Sequence, residues 1–62
     1  MSFGQELRSL RKGSRLSQAR LAEILSIPQA TISDIEKGKY EPKINIAKRL
    51  ADFFSKKIDD ML

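Results

Sequence analysis

The chain contains neither cysteine nor histidine. Disulfide staples are therefore excluded, and so are the usual Cys/His zinc frameworks. Tryptophan and valine are also absent, threonine occurs once, and aromatic residues make up only 6% of the 62 positions. What dominates instead is Leu, Ile, Lys, Arg, Glu and Ala, a composition that favours helices over strands. No stretch alternates apolar and polar residues over a useful length. No apolar run exceeds three residues, against the ~20 that a membrane helix requires. Residues 1–5 lack a basic start followed by an apolar run, so no secretory leader is expected and the chain reads as cytoplasmic.

The same absences narrow the chemistry. Carboxylates, Ser, Thr, Lys and Tyr are the remaining candidate catalysts, and 62 residues can scarcely enclose a substrate pocket of about 300 Å³. The chain is not expected to be an enzyme, and no cofactor or metal is expected. At this length residues 1–62 read as one small domain that must rely on compact helix packing, with self-association as a further aid.

Charge is unevenly placed. The formal total is +4. Residues 1–20 carry Arg8, Arg11, Lys12, Arg15 and Arg20 against Glu6, a net +4. Residues 21–36 carry Glu23, Asp34 and Glu36, a net −3, and residues 37–49 return to +4 through Lys37, Lys39, Lys43, Lys48 and Arg49 against Glu41. Two basic blocks around an acidic middle suit a polyanion held at both sides, although a solvated surface has the same pattern.

Punctuation divides the chain into five segments. Ser2 with Gln5 makes a capping box before Phe3, Leu7 and Leu10, and Gly13-Ser14 closes this first helix near Lys12. Ser17 caps a second helix of about eight residues with Leu21, Ala22 and Leu25 on one face, too short to be stable alone. Pro28 suits the start of a third, whose buried stripe is Ile32 and Ile35 and whose end is marked by Gly38. A fourth, about 43–54, points Ile44, Ala47, Leu50, Ala51 and Phe54 toward a core. A single turn over about 58–62 is the fifth.

The stretch Gln18 to Lys37 reads as two short helices joined by a tight turn, with small Ala22 allowing them to cross closely. Pinning the third helix through Ile32 and Ile35 turns Gln29, Ala30, Ser33, Asp34 and Lys37 outward. Short polar side chains between basic blocks suit a helix lying in a major groove about 12 Å wide. There Gln pairs with adenine, Ala meets a thymine methyl, and Asp accepts from a cytosine amino group.

At these residues the chain resembles the helix-turn-helix family of phage repressors, Cro proteins and related small bacterial regulators. The resemblance is carried by L-R-x-L-R-K at 7–12, L-S-Q-A-x-L-A at 16–22 and Q-A-T-I-S-x-I-E-K-G-K at 29–39, and continues through Pro42 to the closing I-D-D-M-L. It implies an all-α, compact five-helix bundle of the lambda-repressor type, with the helix-turn-helix over about 18–37 and the third helix as reader. It implies base-reading positions at Gln29, Ala30, Ser33 and Asp34. It also implies backbone contacts at Gln18 (which would also brace Gln29), Lys37, Lys39, Tyr40 and Lys43, and an internal salt bridge between Arg11 and Glu36. Arg8, Arg15, Lys48 and Arg49 are expected to be solvated. Departures from the family pattern are Ser26 in place of a turn glycine, Pro28 and Lys43 in place of capping Ser/Thr, and Lys56 in place of an apolar residue.

Ile46 and Phe53 lie off the stripe of the fourth helix. With Ile58, Met61 and Leu62 they are expected to form an exposed patch that makes a homodimer. The functional expectation is sequence-specific binding of double-stranded DNA by a transcriptional regulator. It would be a repressor on an inverted-repeat operator, acting by occlusion because the chain leaves no room for an effector domain. The alternative is an antitoxin-type protein that binds a partner toxin through the apolar patch and regulates its own operon. Such proteins usually carry an extra tail or strand beyond a chain of this length.

Overall fold

In a computed structural model that describes residues 2–62, the chain forms five helices: α1 (Phe3–Gly13), α2 (Gln18–Leu25), α3 (Gln29–Glu36), α4 (Ile44–Phe53) and α5 (Ile58–Met61). No strand occurs among the described residues. The capping box at the start of α1 is complete: the Gln5 amide donates to Ser2 Oγ and the Ser2 amide to Gln5 Oε1, each at 3.2 Å. The Arg20 amide donates to Ser17 Oγ at 3.0 Å and starts α2. By contrast α3 and α4 begin at Pro28 and Lys43 with no side-chain cap.

The first four helices close in one way. In each, a left-handed residue lets the next amide reach back to a carbonyl five positions earlier. Leu16 reaches Arg11 at 3.1 Å, Ile27 Ala22 at 3.0 Å, Lys39 Asp34 at 3.0 Å and Lys56 Ala51 at 2.9 Å. The left-handed residues are Arg15 (φ 58°), Ser26 (φ 54°), Gly38 (φ 75°) and Ser55 (φ 56°), so only one closure uses glycine. At the other three a Cβ crowds the backbone, at a cost of about 1 kcal/mol each.

Burial supplies what such short helices lack alone. Phe3, Leu7, Leu21, Ile32, Ile35, Leu50 and Met61 are fully buried, joined by Ala22, Ile27, Ala47 and Ala51. Leu10, Leu16, Leu25, Ile46, Phe54 and Ile58 pack around this centre. Gly4 marks the tightest approach. A Cβ there would stand 2.0 Å from the Ile35 carbonyl oxygen, so the start of α1 lies directly on the end of α3.

Two expectations are corrected. Met61 is 1% exposed and belongs to the core, not to a surface patch, because the α5 turn folds its side chain inward. Ile44 is 70% exposed: in the first turn of α4 it overhangs the end of the core that Ala47, Leu50 and Ala51 fill.

Candidate nucleic-acid interface

The interface is organised around a buried ion pair. Arg11, on α1, donates from Nε to Glu36 Oε2 at 2.7 Å and from Nη2 to Glu36 Oε1 at 3.0 Å, while Nη1 reaches the Leu16 carbonyl at 2.8 Å. This two-point clamp ties the end of α3 to α1, at the end of the α1–α3 contact opposite Gly4 on α1. Burial alone would push the Glu36 carboxyl up. The hydrogen bonds from Arg11 and Gln18 and the charges of Arg11 and Arg8 outweigh it, and the group sits below the usual carboxylate range. The hydrogen bond to Glu36 likewise raises the Arg11 guanidinium above its already high value, against the opposing effect of burial.

Gln18, the first residue of α2, joins this cluster. Its Nε2 donates to Glu36 Oε1 at 3.1 Å. The bracing bond expected with Gln29 is thus made with Glu36 instead, because the carboxylate lies within reach beside the α2 N-terminus while the side chain of Gln29 stands in solvent.

The outer face of α3 is set by its anchors. With Ile32 and Ile35 fully buried, Gln29 and Ala30 are exposed at the N-terminal end, and Ser33 and Asp34 are half-buried one turn on. Lys37, Lys39, Tyr40 and Lys43 follow, all exposed. Lys39 Nζ lies 3.6 Å from Asp34 Oδ1, so the acidic group on this face is partly neutralised. Ser26 and Ile27 set the angle between α2 and α3, the first by its left-handed backbone and the second by its burial. A 62-residue chain thus presents one short helix, held from beneath on two isoleucines and followed by the exposed Lys37, Lys39 and Lys43.

Comparison with known proteins decides what this arrangement is. The sequence pattern of the helix-turn-helix family matches residues 7–61. The chain belongs to the helix-turn-helix family. It is a sequence-specific DNA-binding unit of the kind that regulates transcription, with α2 and α3 as the helix-turn-helix pair. It is 40% identical over 62 residues to the HTH-type transcriptional activator BcrR of Enterococcus faecalis, matching all of this chain but 30% of that protein. An uncharacterised HTH-type transcriptional regulator of Methanocaldococcus jannaschii is 41% identical over 56 residues, covering 90% of this chain and 85% of that one. The immunity repressor of Bacillus phage phi105 is 31% identical over 51 residues, 82% of this chain and 35% of the repressor. Among solved structures, the restriction-modification controller protein C.AhdI of Aeromonas hydrophila superposes with a TM-score of 0.85 at 27% identity, over 97% of this chain and 91% of that one. The helix-turn-helix unit therefore spans less than a third of BcrR and most of the archaeal regulator.

Two positions that pack other helices against the helix-turn-helix pair escaped the sequence reading. Gly4 is one; an isolated glycine inside a periodic apolar helix was its only signal. Arg49 is the other: it donates to the Leu25 carbonyl and so holds the end of α2 to α4, where a solvated charge was expected. The expected dimer patch divides. Ile46 lines a recess of about 300 Å³ between α3 and α4 with Thr31, Ile35, Tyr40, Pro42 and Lys43. Ile58 and Leu62 line another of about 310 Å³ with Phe3, Glu41, Pro42, Ile44 and Ala47. Phe53, exposed, packs edge-on against Phe54 with ring centroids 4.9 Å apart. No described helix is long and apolar enough to cross a membrane.

Proposed function

We propose that the chain represses transcription by covering promoter DNA, acting by binding and not by catalysis. Two copies would sit on an inverted repeat with half-sites about 34 Å apart. The observation that carries this reading is the fixed outward face of α3: Gln29 and Ala30 stand free at its N-terminal end, the part of a recognition helix that meets base edges. Gln29, Ala30, Ser33 and Asp34 read or line the groove. Gln18, Lys37, Lys39, Tyr40 and Lys43 hold the flanking phosphates. The second copy packs over Ile58 and Leu62 together with Ile44; Leu62 is 67% exposed, and this apolar rim is continuous with the recess beside α5. Ile46 and Phe53, about half a turn round α4 from Ile44, lie outside this contact. Of the relatives, one is named a transcriptional activator and another an immunity repressor. Work on an operator implies a cytoplasmic protein that associates with the chromosome.

The test is selection of bound fragments from random double-stranded DNA at two salt concentrations, with sedimentation of the protein alone. A dyad-symmetric consensus is expected. If a dimer makes roughly ten phosphate contacts, the log–log slope of affinity against salt lies near −9. No enriched sequence, or a slope near zero, overturns the reading.

A further inference from the structure

Glu36 Oε1 accepts two hydrogen bonds, one from Arg11 Nη2 at 3.0 Å and one from Gln18 Nε2 at 3.1 Å. Structurally the second is more than is required to satisfy the ion pair, since Arg11 already occupies both carboxylate oxygens. Its effect falls on Gln18. A carboxylate only accepts, so it can hold only the nitrogen end of an amide. One Nε2 proton is thereby spent, and the other proton and Oε1 remain available at the half-buried N-terminus of α2. Without such a partner the amide could turn over and offer its oxygen where its nitrogen now stands, and an oxygen is repelled by a phosphate.

We propose that Glu36 is a positioning residue for DNA binding, fixing the polarity of the Gln18 amide so that its second Nε2 proton meets a backbone phosphate oxygen. Arg11 acts one step further back by holding Glu36. This rests on the DNA-binding reading given above and deepens it. An acidic residue beside a polyanion thus raises affinity, opposite in sign to its long-range charge. Removing a carboxylate from a DNA-binding surface strengthens binding on electrostatic grounds alone.

The experiment is a double-mutant cycle on the selected DNA duplex, with wild type, Glu36→Gln, Gln18→Ala and the double variant measured where circular dichroism shows all four folded. Glu36→Gln should weaken binding about threefold to tenfold, the range expected for one hydrogen bond, despite its added net positive charge. Gln18→Ala should weaken it similarly, and the double variant should bind no more weakly than Gln18→Ala. An equal loss from Glu36→Gln in both backgrounds overturns the proposal, because Glu36 then acts on something other than Gln18. Tighter binding by Glu36→Gln overturns it as well. If Gln18→Ala binds as wild type does, the phosphate contact assigned to Gln18 falls, and the positioning role with it. If wild type enriches no duplex, both fall. Should Glu36→Gln not fold, NMR of the wild type decides. The two Gln18 Nε2 protons should be well separated, with one exchanging slowly, and a pair resembling those of an exposed glutamine overturns the proposal.

Discussion

Replacing Gly4 by alanine sets two effects of opposite sign against each other. Gly4 lies in the first turn of α1, where alanine improves helix propensity by about 0.8–1 kcal/mol. Against that, the new Cβ would lie 2.0 Å from the Ile35 carbonyl oxygen, 3.0 Å from the Ile35 carbonyl carbon and 3.2 Å from the Glu36 Cα. All three are backbone atoms in the last turn of α3 and cannot swing aside as a side-chain tip can. Relief requires α1 and α3 to part by about 1 Å, since a carbon–oxygen contact normally closes no nearer than about 3.3 Å. Parting them disturbs Phe3, Leu7 and Ile35, all fully buried. Overpacking of this kind costs typically 1–3 kcal/mol, and here the upper end applies because the obstruction is rigid. The net expectation for Gly4→Ala is destabilisation by about 2 kcal/mol, a fall in Tm of roughly 8–16 °C for so small a domain. Gly13→Ala is the control, because nothing lies within 4 Å of its added Cβ; it should gain about 0.5–1 kcal/mol. Thermal and urea unfolding of the two variants measure both. A Gly4→Ala protein as stable as wild type would refute the close approach of α1 to α3.

The left-handed serine of the α2–α3 turn should be improvable: Ser26→Gly is expected to raise stability by about 1 kcal/mol in urea titrations, and Arg15→Gly and Ser55→Gly should behave alike. Lys43→Ser should split stability from binding, gaining about 1 kcal/mol from a new cap on α4 while shrinking the salt slope by about 1 for each copy bound. Because the Glu36 carboxyl is held below its ordinary value in the folded chain, its contribution to stability is fully present above the unfolded pKa. It is lost as pH falls through the folded value. The urea midpoint should therefore drop below about pH 4.5, the unperturbed value, and Glu36→Gln should flatten that part of the profile. Gln29→Ala should cost about 1–3 kcal/mol on the selected site and relax one base position; an equal loss on every sequence would make it a positioning contact instead.

How far the sequence reached follows from the range of the interactions involved. Helix ends depend on neighbours within four residues, and Ser2 with Gln5, Ser17 and Gly38 place their boundaries to within about a residue of those observed. The buried faces of α2 and α3 were equally plain from spacing, and with them the side of α3 that faces out. The pairing of Arg11 with Glu36 came from the resemblance, since no local pattern links residues on α1 and α3. What stayed hidden depends on how helices meet. The Gly4 contact exists only once α1 lies on α3, and Arg49 finds the Leu25 carbonyl only once α4 reaches the end of α2. The exchange of Ile44 for Met61 has the same origin. Periodicity tells which side of a helix is apolar but not whether its last turn overhangs the core or is folded over by the next segment.

The seating of Gly4 on the Ile35 carbonyl has one more consequence. With a methyl group's width already too much between them, and with Arg11 clamping Glu36 in that same last turn of α3 from two turns farther along α1, the C-terminal end of α3 has little freedom to slide on α1. A protein built this way approaches each duplex with one fixed profile. Accommodation to an imperfect operator then falls to the nucleic acid, through bending and changes in groove width, and ranking of sites follows the local stiffness of base steps that no side chain touches.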